Sequence, residues 1–321
     1  PYVMNTQTEI LEAMRDYQQG KMGYLYWEYL AMSVRALLKS KYILVESSKR
    51  SLRELINLST ALKETAWKQF YIKRPWNKFR VINKFIMKKT IHKADSRGLA
   101  NHGWLKSYHT FSFASYQNPN RMNFGMLRVL NDDIVQPKMG FGTHPHRNME
   151  IISIPISGAL SHKDDMNNQR SIEVGEIQVM SAGTGVTHSE FNDSKTDAAN
   201  FLQLWILPEK QEVTPYYNQK MFAEAGRKNK FQILVSPKDK QVEGSLPINQ
   251  QGYISMIDLE ADFETEYELK NGAYFFLIDG EVSVADEVLE SRDAIGIENT
   301  EKVKVKASKN SKLLIIDVPM R

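Results

Sequence analysis

The chain has 321 residues, 42% hydrophobic and 25% charged, with 17 Gly and 11 Pro, which excludes a disordered, collagen-like or low-complexity protein. It contains no cysteine, so disulfide frameworks, thiolate metal sites and cysteine nucleophiles are excluded, and any transition metal must be held by imidazole and carboxylate. The net charge of +4 hides an asymmetry: residues 1–87 carry 15 Lys+Arg against 7 Asp+Glu, residues 88–321 carry 27 against 31, and all seven histidines lie from His92 to His188.

Residues 1–86 read as an N-terminal extension, mostly helical or disordered. Helical spacing is expected over Pro1–Gln19, where Asn5 or Thr6 can cap and Glu9 stands at the capping-box position, and again over Tyr24–Tyr42 and Leu52–Phe70. Met22–Leu38 is interrupted by Glu28 and Arg35 and is too short and charged to span a bilayer; with no export signal either, a cytoplasmic protein with no membrane partner is expected. From Thr65 to Ala94 there is no acid, and bases alternate with aromatics from Tyr71 onward. Such a run can stack on bases and neutralise phosphate, but no nucleic-acid fold motif accompanies it, so a solvated basic linker is the expectation. A chain that begins with Pro is expected to be a fragment, a processed product or an unusual gene model.

After Met87 the pattern changes to short β runs separated by Gly, Asn and Asp. They include Gly125–Leu130, Glu150–Ile156, Glu176–Met180 and Phe201–Leu207, then Gly252–Ile257, Ala273–Ile278, Glu281–Val284 and Leu313–Val318. The spacing predicts an all-β sandwich or barrel. Two such sets, 87–235 and 236–321, suggest a duplicated barrel, with Asp279-Gly280-Glu281 as a hairpin turn in the second. The second set holds no histidine, so a metal site belongs in the first.

Within that first set, His144 and His146 stand two apart, and residues two apart on a strand share a face. Pro145 between them cannot donate a ladder hydrogen bond, which places the pair at a strand start or sheet edge. His188 and Glu190 repeat the spacing after Ser181-Ala-Gly-Thr-Gly, a turn-prone run able to bring a neighbouring strand alongside. Three imidazoles and one carboxylate would leave a divalent ion with residual positive charge and open positions. Mixed N/O ligation suits Fe(II), with Mn, Co, Ni, Cu and Zn as alternatives.

The spacing Gly142-x-His144-x-His146-x3-Glu150-x7-Gly158, followed by Gly175-x7-Gly183-x4-His188-x3-Asn192, resembles the paired motifs of the cupin superfamily. Asn101–Ala114, Thr143–Ser153, Leu160–Asp164, Met180–Asn192 and Leu202–Pro208 together resemble the pirin family. That resemblance, from about Lys88 to Arg321, implies a bicupin of two packed antiparallel β-barrels, the first holding one metal. It implies His144, His146, His188 and Glu190 as metal ligands, with Glu150 supporting the site or the structure. It implies a quercetin 2,3-dioxygenase-like reaction of a flavonol or similar enol with O2, in which Glu190 accepts the substrate hydroxyl proton. The alternative it implies is a metal-binding regulatory protein acting through a protein partner without turnover. Phe141, Met180 and Phe191 could wall the pocket or pack the core. Asp164-Asp165-Met-Asn-Asn departs from the family's Asp-Ser-Met-Gly-Asn and should alter a hairpin turn, not the site. A monomer is expected. Residues 1–20 resemble the tail of a second pirin and Met87 a natural start, so residues 21–86 are expected to be readthrough or linker, or else a helical domain.

Overall fold

The computed structural model describes residues 87–320. The expected N-terminal helices, the basic aromatic run before Met87 and the tail-like residues 1–20 lie outside the described residues. In chain order the strands are β1 Lys88–His92, β2 Gly98–Asn101, β3 Leu105–His109, β4 Leu127–Val135, β5 Gly140–His146, β6 Glu150–Ser157, β7 Ala159–Asp164, β8 Gln169–Glu173, β9 Glu176–Ser181, β10 Val186–Phe191 and β11 Ala199–Ile206. They continue as β12 Tyr216–Met221, β13 Gln232–Pro237, β14 Leu246–Ile248, β15 Tyr253–Leu259, β16 Glu264–Glu268, β17 Gly272–Asp279, β18 Glu281–Val284, β19 Glu287–Glu290, β20 Ala294–Glu298, β21 Lys302–Ala307 and β22 Ser311–Val318.

These strands form two barrels, each a seven-stranded sheet facing a four-stranded one. The first combines β12-β9-β6-β11-β4-β3-β2 with β5-β10-β7-β8; the second combines β1-β20-β17-β22-β15-β13-β14 with β16-β21-β18-β19. Strand for strand the two orders correspond, so the duplication expected from the sequence is present in the topology. The two large sheets pack back to back. Ile152, Ile154, Leu202 and Leu204 of the first share one buried cluster with Ile254, Tyr274, Phe276 and Leu314 of the second. A strand covered on both faces reads as a nearly continuous apolar run, which is why β6 and β17 carry Ile-Ile-Ser-Ile-Pro-Ile and Ala-Tyr-Phe-Phe-Leu-Ile. The outer sheets alternate instead: in β21 the lysines face water and Val303, Val305 and Ala307 face the barrel.

Two expectations need correction. Asp279-Gly280-Glu281 is not a hairpin turn, because β17 and β18 belong to different sheets; Gly280, at φ +102°, turns the chain from one sheet to the other. A turn signal in sequence marks a strand end but not which strand comes next to it. The boundary expected at 235 falls inside β13, and β1, expected with the first barrel, pairs with β20 of the second along Lys88–His92. His92 Nδ1 lies 2.7 Å from the Tyr274 hydroxyl at the end of that pairing.

The barrel interiors differ. The second is filled by Tyr267, Phe275, Leu277, Ile295, Val303, Val305 and Leu313. In the first, strand register sets His109, Asn131, Gln203, Ser153 and Gln178 side by side across β3, β4, β11, β6 and β9. All but Gln203 of this polar row are fully buried. Buried polar groups cost free energy unless partnered, so the row marks where the barrel is built for something other than packing.

Candidate metal centre

The site is built on β5, β10 and β7, with β10 in the middle. β5 is an edge strand, where Pro145 opposes Thr187 without needing to donate outward. His188 is the direct cross-strand partner of His144 on one side and of Asp164 on the other; Glu190 is the partner of His162. Between these positions β5 carries an extra residue, so His188 opposes His144 while Glu190 opposes Phe141. The close approach of β10 at this bulge requires glycine at 140, where a Cβ would lie 2.2 Å from the Glu190 carbonyl oxygen.

A ligand nitrogen from each of His144, His146 and His188 lies within 4.8 Å of the others. A metal about 2.1 Å from each nitrogen spaces ligand atoms roughly 3–4 Å apart, so one ion can bridge the three. A second cluster at the same spacing joins His188, Glu190 and His162. His188 is common to both, and among the described residues no cluster at that spacing joins all four expected ligands.

Burial sets the protonation states. His188 is held far below the usual imidazole range by burial and by the neighbouring histidines, and His146 is pushed down to about 4 by burial and by His144. Both are therefore neutral near pH 7, the ligand-competent form. His188 Nε2 is buried and has no hydrogen-bond partner. A buried imidazole nitrogen left bare beside the nitrogens of two other imidazoles fits a cation ligand. His144 Nδ1 lies 2.8 Å from the Gly142 carbonyl, which requires the proton on Nδ1 and frees Nε2. Burial raises the Glu190 carboxyl to about 7, against hydrogen bonds that would lower it: Gln203 Nε2 donates at 2.9 Å and Ser153 Oγ at 3.4 Å.

The remaining expected residues are placed as follows. Glu150 faces away from the cluster, on the same side of β6 as Ile152 and Ile154. It accepts from Ser181 Oγ at 2.7 Å and from the Asn249 backbone N–H at 3.1 Å, and so joins the two barrels. Phe141 packs edge-on against Trp104, with ring centroids 5.3 Å apart. Met180 is fully buried with Ile151 and Val186 under Trp205. Phe191 is exposed: beside an inward Glu190, alternation turns it outward, so it does not wall the site. The hairpin departure is also resolved locally. Asn167 takes φ +68°, which Asn tolerates, and Asp165 Oδ2 accepts from the Thr187 backbone N–H and hydroxyl.

Sequence reasoning missed His162, Asp164, Gln203 and Trp205. Trp205 meets His146 edge-on at 4.9 Å and donates from Nε1 to Gln203 Oε1 at 3.2 Å. The available signal was alternation: His162 and Asp164 share the inward face of β7 with Leu160, and Gln203 and Trp205 stand two apart on one face of β11, a polar amide and an indole among aliphatic neighbours.

A histidine and carboxylate cluster inside one of two cupin barrels defines a bicupin with a divalent-metal centre in its first half. The pirin family model matches residues 75–206, and that of the quercetinase C-terminal cupin domain matches residues 233–318. The quercetin 2,3-dioxygenase of Escherichia coli K12 is 38% identical over 231 residues, 71% of this chain and 98% of that protein. A pirin-like protein of Caulobacter vibrioides is 37% identical over 225 residues, 70% of this chain and 96% of its own length. The crystal structure of YhhW from Escherichia coli superposes with a TM-score of 0.70 at 36% identity, over 73% of this chain and 99% of that one. YhhW in complex with nickel(II) superposes with a TM-score of 0.69. The chain belongs to the pirin family.

Proposed function

We propose that this protein is a metal-dependent dioxygenase of the quercetin 2,3-dioxygenase type, cleaving a flavonol or similar enol with O2. The observation that carries the reading is the bare, buried Nε2 of His188 beside the nitrogens of His144 and His146, two residues along the strand from a buried carboxyl at Glu190. Relatives named quercetin 2,3-dioxygenase support the reaction class. His144, His146 and His188 would hold the ion with Glu190 beside or on it, and Fe(II) is the metal assigned, with Mn, Co, Ni, Cu and Zn as alternatives. When bound, the ion supplies Lewis acidity that lowers the pKa of an enol hydroxyl.

The residues of the chain do the rest. Glu190, a buried carboxyl within ligand distance of His188, accepts the substrate hydroxyl proton. Gln203 and Ser153 hold the carboxylate oriented. Trp205, edge-on to His146, sets an apolar surface beside the imidazoles that suits a flat ring.

The test is to load the chain with Fe(II), add quercetin, and follow O2 uptake with loss of flavonol absorbance. Metal-dependent turnover that disappears in His144→Ala supports the proposal. Absence of turnover, or equal turnover in the variant, refutes it, and metal retained without turnover favours a regulatory protein acting through a partner.

A further inference from the structure

Asp164 closes β7 with both carboxylate oxygens committed. The backbone N–H groups of Met166 and Asn168 donate to Oδ1 at 3.0 and 2.9 Å, and Oδ2 lies 3.0 Å from His162 Nε2. An ionised carboxylate only accepts, so His162 carries its proton on Nε2 and presents a lone pair at Nδ1. That Nδ1 faces His188 Nδ1 at 3.4 Å, with Gln178 Nε2 also donating toward it at 3.2 Å. Two facing ring nitrogens need one proton between them. With His162 Nδ1 as acceptor, the proton sits on His188 Nδ1, and His188 Nε2 is the bare nitrogen. It is the same atom that has no partner in the protein. His162, Asp164 and His188 are all buried, so water does not compete for these contacts.

The geometry points to a relay from Asp164 through His162 that fixes the tautomer of His188 and delivers its Nε2, unprotonated, to the metal. His162 is a positioning residue, and Asp164 is its anchor. The inference rests on the reading of His188 as a ligand. It differs from the arrangement at His144, whose Nδ1 proton goes straight to the Gly142 carbonyl. At His188 a second imidazole stands between ligand and carboxylate, so the tautomer depends on a carboxylate that does not touch the ligand.

The experiment reads protons and metal, not turnover. Long-range proton–nitrogen NMR of the full chain, labelled with 15N-histidine and freed of metal by chelation, should show His188 protonated on Nδ1. The signal is assigned by its loss in His188→Ala. In Asp164→Asn the Met166 and Asn168 amides keep the side-chain oxygen, which turns the new NH2 toward His162 Nε2. The His162 proton then moves to Nδ1 and displaces the His188 proton to Nε2. Nickel(II) affinity, measured by chelator competition, should fall about 10- to 100-fold in Asp164→Asn and in His162→Leu. His162→Asn, whose oxygen stands near the place of Nδ1 and accepts, should recover most of the loss. Wild-type His188 protonated on Nε2, or wild-type nickel affinity in both Asp164→Asn and His162→Leu, overturns the relay. The wild-type tautomer decides even if a variant fails to fold. His188→Ala separates the two levels. Wild-type nickel affinity there sinks the ligand reading and the relay together; lost affinity there with normal binding in both Asp164→Asn and His162→Leu sinks the relay alone.

Discussion

Asp133 is another buried carboxyl inside the first barrel, and its Oδ1 has no partner. Burial raises it from 3.8 to about 7, with a Ser107 hydrogen bond opposing and the charges of Asp132 and Glu190 adding. The folded chain therefore holds this proton over a pH range in which the unfolded chain has released it. The stability tied to it is complete below about 3.8 and is lost as pH rises to about 7. Measured by denaturant titration in chelator, wild type should lose ground against Asp133→Asn by up to about 1.4 kcal/mol per pH unit across that window and level off above it. A flat difference would contradict the buried-carboxyl account. At the same scale, His188→Ala should abolish stoichiometric binding of a divalent metal, read by elemental analysis of the purified chain. His144, His146, His188 and Glu190 stand out in the sequence because strand alternation puts each pair on one face and the family motif marks the same positions. His162 was not, since its importance comes from standing opposite Glu190 across a strand pairing that sequence does not print.

β6 shows how one strand can serve two surfaces. Ser153 points inward to Glu190, while Glu150 points outward to Ser181 and Asn249. Removing the carboxylate leaves buried donors without an acceptor, a loss of about 1–3 kcal/mol. Glu150→Ala should therefore lower the urea midpoint while leaving metal stoichiometry unchanged; a variant that lost metal instead would put Glu150 in the site. Most strands were legible as elements. The runs Glu150–Ile156, Phe201–Leu207 and Ala273–Ile278 match β6, β11 and β17 closely, because double-sided burial writes itself as an unbroken apolar run. The bulge in β5 was not legible, because it is a relation between two strands and only Gly140 and Gly142 hint at it.

Over residues 87–320 the two barrels share a single apolar seam, so neither large sheet has its own finished outer face. Unfolding should be one cooperative event, with calorimetric and van't Hoff enthalpies in agreement; two resolved transitions would mean that the barrels are independent. The architecture of paired barrels was readable from turn spacing and from the family resemblance. The membership of edge strands was not, because an edge is chosen by whichever sheet lacks a partner, and β1 and β12 occupy matching edge positions beside β20 and β9.

The pairing of β1 with β20 has a consequence during translation. Lys93 and its partner Asp293 are 200 residues apart. At about 5–20 residues per second the ribosome takes roughly 10–40 s to deliver that second strand, and the first must stay unpaired meanwhile. An idle strand is a template for the wrong neighbour. Lys88 and Lys89, which end up paired with Glu298 and Glu287, charge β1 from the outset, which disfavours its pairing with a wrong neighbour before its own sheet has been made.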